Sequence, residues 1–330
     1  MSKFRIGIDL YGGDNAPDSV IKGAIFAVEN KFVKDSTIVL VGDKKDIVNT
    51  EKYKQIEFMD SENLINNSTK PTEALKLKNS SIYVGCEALK NKKLDAFVSA
   101  GNTGALLAAG TFVSGRLKGI KRPALALALP GKQNKPRILV DAGANSEVKP
   151  EHFKDFAFEG IAYAKFMGIT NPRVAILNIG SEEEKGSTLV KEAANILKSE
   201  EKINYVGFIE AREIFDVNFD VLLTDGFTGN NVLKTIEGTA YYILGELKDS
   251  IKKGGLFTKL GALLLKSSLY SLKSKIDYRQ YGGTFFLGVN GILVKAHGSS
   301  DAEAIGNAIY VAYRALDQKL IENIEVNEGD

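Results

Sequence analysis

Four short loops carry the small and polar residues from which a chemical site could be built. One of them, Gly101-Asn102-Thr103-Gly104, lies between an apolar run and a helix-forming run that begins at Ala105. Its glycines permit a tight turn, and the free N–H groups at the helix start would favour an anion. The stretch predicts either an anion cradle or an ordinary strand–helix turn, which is common in such folds.

The other three loops repeat this mixture of glycine, amide and carboxylate, at residues 12–15, 141–145 and 225–231. Each follows an apolar run that reads as a strand. Because ligands gather outside the carboxyl ends of parallel strands, we expect the four loops to line one cleft. His297 follows the last predicted strand and either touches a ligand or anchors its loop. The candidate cleft-lining residues are Asp9, Gly12, Gly13, Asp14, Asp141, Asn145, Asp225 and His297.

The elements that must position these loops alternate along the chain. Apolar runs predict strands at residues 4–10, 37–41, 56–58, 94–99, 124–129, 137–141, 173–177, 203–209 and 221–224, and another that ends near residue 295. Helices are predicted at residues 17–30, 71–89, 150–167, 187–197, from about 231 to 251, and 301–316. The runs 124–129 and 137–141 predict an antiparallel hairpin. The order predicts a three-layer αβα fold with a mainly parallel sheet, in a single domain spanning residues 1–330.

The composition argues against several classes of function. Hydrophobic residues make up 44% and charged residues 25% of the chain, as in ordinary globular proteins. A net charge of +2 provides no global attraction to nucleic acid, so no nucleic-acid partner is expected. One cysteine excludes an intramolecular disulfide framework and suits a reducing cytoplasm. No signal peptide is expected, and no apolar run approaches the roughly 18 residues of a spanning helix.

Familiar catalytic patterns are missing from the sequence. The two histidines stand far apart, no zinc spacing occurs, and both nucleotide-binding glycine motifs are absent. Cys86 lies within a predicted helix and reads as a core residue. We therefore expect neither a metal nor a cofactor. If the chain is an enzyme, we expect the nucleophile to belong to the substrate.

Residues 250–276 form a basic amphipathic segment with six lysines and no acidic residue. It predicts a protruding helical tip with a break at Ser267-Ser268. Such a segment suits an anionic bilayer surface, but its leucines could equally pack on the body or on a second subunit. The candidate membrane-contacting residues are Leu256, Phe257, Leu260, Leu263 and Leu264.

Five motifs in order resemble the bacterial phosphate acyltransferase family of phospholipid synthesis. They are Asp9-x-x-Gly-Gly-Asp14-x-Ala-Pro17, Ser99-Ala-Gly-Asn-Thr-Gly-Ala105, Val140-Asp-x-Gly-Ala-Asn145, Asp225-Gly-Phe-Thr-Gly-Asn230 and Lys295-Ala-His-Gly-Ser-Ser300. The resemblance covers essentially the whole chain, and it departs from the family at Asn15, where histidine is common. It implies a fold similar to the isopropylmalate dehydrogenase and phosphotransacetylase group.

The resemblance implies transfer of a long acyl group from acyl carrier protein to inorganic phosphate by a cytoplasmic dimer at the inner membrane surface. Phosphate attacks the thioester, which agrees with the missing Ser–His and Cys–His pairs. The hypothesis places phosphate on the amides of residues 101–105 (Gly101, Asn102, Thr103, Gly104 and Ala105), with side-chain donors from Asn102 and Thr103. Lys185 would compensate charge, or be a solvated lysine. Asn230 would donate to the thioester oxygen, cap its helix, or do both. Asp225 would hold its loop rather than act as a base.

An acidic carrier protein needs a basic docking patch, and the sequence offers two. One is the connection that carries Arg116, Lys118, Lys121 and Arg122, and the other is the set of tip lysines. Two further functions stay open: a phosphate acyltransferase that uses coenzyme A, and a non-catalytic membrane scaffold for lipid enzymes. A decarboxylating dehydrogenase is disfavoured because no metal-binding carboxylate cluster is evident.

Overall fold

The computed structural model describes residues 2–63, 65–270 and 283–324, which form an eleven-stranded sheet covered by helices on both faces. The strands are β1 (Arg5–Asp9), β2 (Thr37–Val41), β3 (Ile56–Met59), β4 (Ala96–Ser99), β5 (Ala124–Leu129), β6 (Arg137–Val140), β7 (Val174–Asn178), β8 (Tyr205–Glu210), β9 (Val221–Leu223), β10 (Thr284–Leu287) and β11 (Ile292–Lys295). The helices are α1 (Asp18–Glu29), α2 (Pro71–Ala74), α3 (Ser81–Lys90), α4 (Thr103–Ala109), α5 (His152–Phe166), α6 (Thr188–Ser199), α7 (Gly226–Lys253), α8 (Leu256–Leu264) and α9 (Ala302–Asp317).

The strand order is β3-β2-β1-β4-β11-β10-β5-β6-β9-β7-β8. Two sets of parallel strands lie at its ends, β3-β2-β1-β4-β11 and β6-β9-β7-β8. Between them, β10 is antiparallel to both β11 and β5, and β5 is antiparallel to β6. The sheet is mainly parallel, as predicted, but its two parallel sets run in opposite directions.

Two apolar clusters hold the layers together, one on each face of the sheet. The first joins the sheet to α1, α5, α6 and α9, with Phe153 and Ile305 among its fully buried members. The second joins it to α3, α4 and α7 through side chains such as Leu106 and Leu233. Because successive strand residues alternate between the faces, each central strand contributes to both clusters. The three-layer αβα prediction is therefore confirmed, whereas the single-domain prediction stays a prediction.

Three sequence predictions differ from the structure. The helix predicted at residues 71–89 is divided into α2 and α3, because the Ser80 hydroxyl accepts the Tyr83 N–H and starts a new helix. Strand β10 was not predicted, since it is a four-residue segment between glycines. The expectation that parallel strands of one direction bring the four loops together is wrong, because β6 and β9 run opposite to β1 and β4. Residues of three of the loops nevertheless line one cavity, which is described below.

Helix α7 begins in the body of the protein and continues far beyond it. Its buried residues are Gly226, Gly229 and Leu233, all within its first eight positions, and α8 buries none. The remaining twenty residues of α7 extend over about 30 Å. The helix breaks at residues 254–255 and again at Leu265, and not at Ser267-Ser268, which lies in a helical stretch. Tip residues 271–276 lie outside the described residues.

The predicted tip residues do not pack on the body of the chain. Their exposed fractions range from 48% for Leu260 to 89% for Phe257, and Leu256, Leu263 and Leu264 lie between these values. Packing of these five side chains on the described body of the chain is thereby excluded, while a membrane and a second subunit remain as partners to test. None of the described helices is long and apolar enough to cross a bilayer.

Candidate active site

A row of polar side chains crosses four neighbouring strands at the carboxyl end of β4. The β1–β4 register pairs Ile8 with Val98, which places Asp9 beside Ser99. Ser99 pairs with Lys295 of β11, and Lys295 pairs with Thr284 of β10. Because strand side chains alternate between the faces, these four residues share the face that carries α3 and α4.

Asp9 is a fixed member of this row. Its carboxylate is 2% exposed and accepts hydrogen bonds from the Ser81 and Ser99 hydroxyls, both at 2.6 Å. Burial raises the pKa of Asp9, against the opposing effect of these hydroxyl donors. Asp9 therefore links α3 to β4 through these two hydrogen bonds, and its oxygens are not accessible to a ligand.

The loop after β1 packs against the loops after β4 and β11. A side chain at Gly12 would meet the Asp9 carboxylate and the Gly101 amide nitrogen at 2.7 and 2.8 Å. The Asp14 N–H donates to the Gly298 carbonyl at 2.7 Å, where Gly13 has a φ of +107°. Glycine at these two positions therefore permits the close approach, while Asp14 and Asn15 lie exposed on the rim.

At the start of α4, some of the N–H donors that were predicted to bind phosphate form hydrogen bonds within the protein instead. The Asn102 side chain accepts the Ala105 N–H at 3.0 Å and donates to the carbonyls of Asn66 and Thr69, both at 2.9 Å. The Gly101 N–H donates to the Ser99 hydroxyl. The prediction that the Asn102 side chain and all five amides face phosphate is therefore corrected. Among the described residues, the Thr103 and Gly104 N–H groups have no intramolecular acceptor.

The loop after β6 is organised around a buried carboxylate. Asp141 is fully buried and accepts the N–H groups of Leu125, Gly143, Ala144 and Asn145 and the Asn145 side-chain amide, at 2.7–3.1 Å. Burial raises the pKa of Asp141 in spite of these donors. The same Asn145 amide also donates to the Pro123 carbonyl at 2.9 Å. Asp141 and Asn145 thus shape the loop from inside and do not line the cleft.

Helix α7 starts directly on this loop. Asp225 caps it by accepting the N–H and the hydroxyl of Thr228 at 2.8 and 2.7 Å, so its predicted role in holding the loop is confirmed. A methyl group at Gly229 would overlap with the Asp141 carbonyl oxygen, so only glycine permits this contact. Asn230 is therefore not the cap. It lies in the second turn, beside Gly143, and its exposed side chain has no hydrogen bond within the described residues.

A cavity of about 240 Å³ lies between α4 and α7, and we name it the α4–α7 cavity. It brings Thr103 of α4 to the same space as Asn230 of α7, although these helices follow strands of opposite direction. Leu125 and Leu127 of β5 contribute apolar side chains. Its further lining residues include Ala142, Leu233, Lys234, Thr284, Lys295, His297, Gly298 and Ser300.

Lys295 is one of the cavity residues that were not predicted as site residues from the sequence. Its ammonium donates to the carbonyls of Ala100, at 3.3 Å, and Ala296. Burial lowers the pKa of Lys295 to about 8, although the carboxylates of Asp9 and Asp14 raise it. Lys295 opens the fifth sequence motif, but its place beside Ser99 depends on the pairing of β4 with β11, which lie far apart in the chain.

Lys185 is not among the residues that line this cavity. It follows β7 in an exposed loop, where its ammonium pairs with Glu182 at 2.7 Å, and this pairing raises its pKa. Strands β7 and β9 are parallel neighbours, so the loop of Lys185 and the start of α7 emerge at the same edge of the sheet. Its catalytic role stays a prediction.

His297 anchors its loop and also lines the cavity. Its Nδ1 lies 2.8 Å from the Ser299 hydroxyl and accepts the Ser299 N–H at 3.2 Å. The structure thus contains a Ser–His contact that the sequence did not predict. This contact joins residues only two positions apart, and Ser299 does not line the α4–α7 cavity. It therefore stabilises a local turn and is not a catalytic Ser–His pair.

Cys86 is a core residue, as predicted. It is fully buried, and burial raises the pKa of its thiol to about 12, so the thiolate nucleophile is suppressed. In the described part of the chain, no group of three or more His, Cys, Asp or Glu residues could hold a metal ion.

Two of the four predicted docking residues line a second, larger cavity of about 670 Å³. Arg116 and Lys121 lie on its edge, and the backbone N–H groups of Lys121 and Arg122 bind the buried Asp155 carboxylate at 2.9 Å each. Arg116, Lys118, Lys121 and Arg122 are all exposed residues. Their role in docking stays a prediction.

Comparisons with known proteins agree with this architecture. The family model described as "Fatty acid synthesis protein" matches residues 4–323. The chain is 68% identical to a phosphate acyltransferase of Petrotoga mobilis, over 99% of this chain and 100% of that protein. It is 47% identical to a phosphate acyltransferase of Thermotoga maritima, over 97% of this chain and 96% of that protein.

Solved structures support the fold. A phosphotransacetylase from Streptococcus pyogenes superposes with a TM-score of 0.59 at 13% identity, covering 95% of this chain and 94% of that one. A 4-hydroxythreonine-4-phosphate dehydrogenase from Klebsiella pneumoniae gives a TM-score of 0.52 at 12% identity, over 94% and 98% of the two chains. The predicted similarity to the phosphotransacetylase fold is confirmed. By its sequence, the chain belongs to the fatty acid synthesis protein family, which includes the phosphate acyltransferases.

Proposed function

We propose that the protein transfers a long-chain acyl group from acyl carrier protein to inorganic phosphate, giving an acyl phosphate for phospholipid synthesis. The observation that carries this proposal is the α4–α7 cavity, where Thr103 and Asn230 face one space in a chain of the phosphate acyltransferase family. A volume of about 240 Å³ suits phosphate and a reacting carbonyl group. The long acyl chain has to lie outside it.

The reaction needs no nucleophile from the protein. A phosphate oxygen forms a bond to the thioester carbonyl carbon, the C–S bond breaks, and the phosphate proton ends on the released carrier thiol. The site therefore has to bind phosphate, orient it and stabilise the oxyanion that develops on the carbonyl. The N–H groups of Thr103 and Gly104 supply donors for phosphate, and the Asn230 amide supplies a donor for the oxyanion. Lys185 compensates charge from the neighbouring loop.

The partners follow from exposed charge and exposed apolar surface. The cluster Arg116, Lys118, Lys121 and Arg122 would dock the acidic carrier protein, because complementary charge speeds encounter. The tip would rest on the anionic inner face of the cytoplasmic membrane, and a second copy of the chain would form a homodimer. The enzyme would thus act in the cytoplasm as a peripheral membrane protein.

An activity assay tests the proposal directly. The purified chain is incubated with acyl carrier protein thioester and phosphate, and acyl phosphate is trapped while free carrier thiol is counted. We expect equal amounts of both products, and no thiol release when phosphate is omitted. A faster reaction with the coenzyme A thioester would favour the alternative donor. If neither donor gave acyl phosphate, the proposed activity would be refuted, and the non-catalytic scaffold would be the remaining alternative.

A further inference from the structure

Lys295 has no carboxylate in direct contact with its ammonium group in the part of the chain that the structure describes, although Asp9 and Asp14 act on it from a distance. The side chain is partly buried and donates to the carbonyl oxygens of Ala100 and Ala296. Within residues 2–63, 65–270 and 283–324, it forms no ion pair with a carboxylate. Two carbonyl oxygens accept hydrogen bonds from the ammonium but do not neutralise its charge, and an unneutralised charge is costly away from bulk water.

The nearest carboxylate of the polar row cannot serve as that counter-ion. Asp9 lies two strands away and accepts hydrogen bonds from Ser81 and Ser99 with its two oxygens. Ser99 stands between Asp9 and Lys295 in the row. Lys295 instead lines the α4–α7 cavity, where Asn230 and Thr103 supply polar groups and no lining residue is acidic.

We propose that Lys295 is a catalytic residue that binds the inorganic phosphate substrate through its ammonium group inside the α4–α7 cavity. The inference rests on the proposed function, since it names a residue that holds the nucleophile. The ammonium contacts a phosphate oxygen that does not attack. No bond to Lys295 forms or breaks, and its proton stays in place throughout the transfer.

This role predicts a particular kinetic pattern. Lys295 holds the phosphate dianion before the attack and the phosphoryl group afterwards, so it stabilises the ground state and the transition state to similar degrees. Loss of such uniform binding raises KM for phosphate more than it lowers kcat. Loss of an oxyanion donor such as Asn230 would lower kcat instead.

The pH dependence of phosphate binding gives an independent readout. Four charged or titratable groups surround Lys295: Asp9 on β1, Asp14 in the loop after β1, Lys234 on α7 and His297 in its own loop. Since burial lowers the pKa of Lys295 to about 8, phosphate affinity should fall as pH rises above that value. Arginine at this position would stay protonated and remove this loss. Titration of phosphate itself is common to both proteins and cancels in the comparison.

The experiment is a calorimetric titration of the full chain with inorganic phosphate. The variants are Lys295→Met, which removes the charge, and Lys295→Arg, which keeps it. Lys90→Met is the matched control, because Lys90 is exposed at the end of α3, before β4 begins and away from the cavity. We expect Lys295→Met to weaken phosphate binding by at least about 30-fold. Lys295→Arg should hold phosphate above pH 8, where the original chain releases it.

Unchanged phosphate affinity in Lys295→Met would overturn the inference, and so would an equal loss of affinity in Lys90→Met. A failure of the original chain to bind phosphate would also overturn it. The transfer assay separates these results from the proposed function, because acyl phosphate formation with an unchanged KM for phosphate in Lys295→Met refutes only the role of Lys295. If the Met variant fails to fold, the pH comparison with Lys295→Arg decides.

Discussion

Asp141 and Glu159 are both fully buried carboxyl groups, yet the protein treats them differently. Asp141 receives hydrogen bonds from four backbone N–H groups and one side-chain amide. Glu159, on α5, has no hydrogen bond to either oxygen in the described part of the chain, although the Ala124 N–H weakly favours its charged form. Burial, together with the charges of Asp155 and Asp141, raises the pKa of Glu159 well above its ordinary value.

Replacing Glu159 by methionine should therefore stabilise the fold. The variant removes two buried oxygens that lack partners, which is worth about 1–3 kcal/mol of unfolding free energy. Because the folded-state pKa is raised, the original chain loses stability as pH rises from the ordinary value of 4.5 through the folded pKa. The advantage of Glu159→Met should thus be larger at pH 8 than at pH 5 in urea unfolding.

Asp141→Asn is the matched control for this prediction, since it removes charge from a buried carboxyl group that is hydrogen-bonded. It should destabilise the fold, because the new NH2 group would face N–H donors. A loss of stability in Glu159→Met that is equal at both pH values would contradict the argument and would assign Glu159 a packing role.

Residues whose roles depend on near neighbours could be predicted from the sequence. Asp225 holds the start of α7 through Thr228, three positions away, and Cys86 lies on the buried face of a helix. The role of Lys295 could not be predicted in this way. It depends on the register of β4 with β11, and on whether a carboxylate forms an ion pair with the lysine. Both are determined by contacts between distant parts of the chain.

At the scale of elements, the site lies between helices α4 and α7. These two helices follow strands of opposite direction, yet residues at the start of each line the same cavity. The alternation of strands and helices predicted the three layers but not the direction of each strand. The hairpin β5–β6 was predicted, whereas β10 was not, and β10 with β5 separates the two parallel sets. The cleft is therefore bounded by two helix starts above a sheet face and is not a row of loops at one edge.

Asn230 and Lys185 belong to elements that emerge at the same edge, after β9 and β7, and this placement supports testing them together. If both stabilise the oxyanion, Asn230→Ala and Lys185→Ala should each raise the barrier by roughly 2.7–4 kcal/mol. The effect should appear in kcat of the carrier-thioester assay. Near-normal turnover in both variants would refute the assignment.

The chain offers a control for each of these two positions. Asn231, next to Asn230, donates to the Phe227 carbonyl within α7, and Lys198 forms an exposed ion pair with Glu183 that resembles the pair of Lys185 with Glu182. Asn231→Ala and Lys198→Ala should leave turnover near normal. An equal loss in these controls would point to damage to α7 or to the loop rather than to chemistry.

For the whole molecule, the protruding part of α7 separates the cavity from the tip. The tip has exposed leucines. Four of its lysines lie in the part of the chain that the structure describes, at positions 252, 253, 259 and 266, and all four are exposed. Such a surface is unfavourable in water unless something covers it. A bilayer with anionic lipid matches both its apolar side chains and its positive charge.

Aspartate at Leu260, Leu263 and Leu264 should therefore abolish binding to vesicles of anionic phospholipid. Transfer of each leucine out of water is worth about 1.5–3 kcal/mol, so the triple variant should partition more than about 100-fold more weakly. Because these residues do not contact the body, the thermal midpoint should stay unchanged. Val48→Asp, at another exposed apolar residue, is the control, and vesicle sedimentation is the measurement. Unchanged sedimentation together with a shift to monomer in light scattering would assign the tip to a second copy of the chain instead.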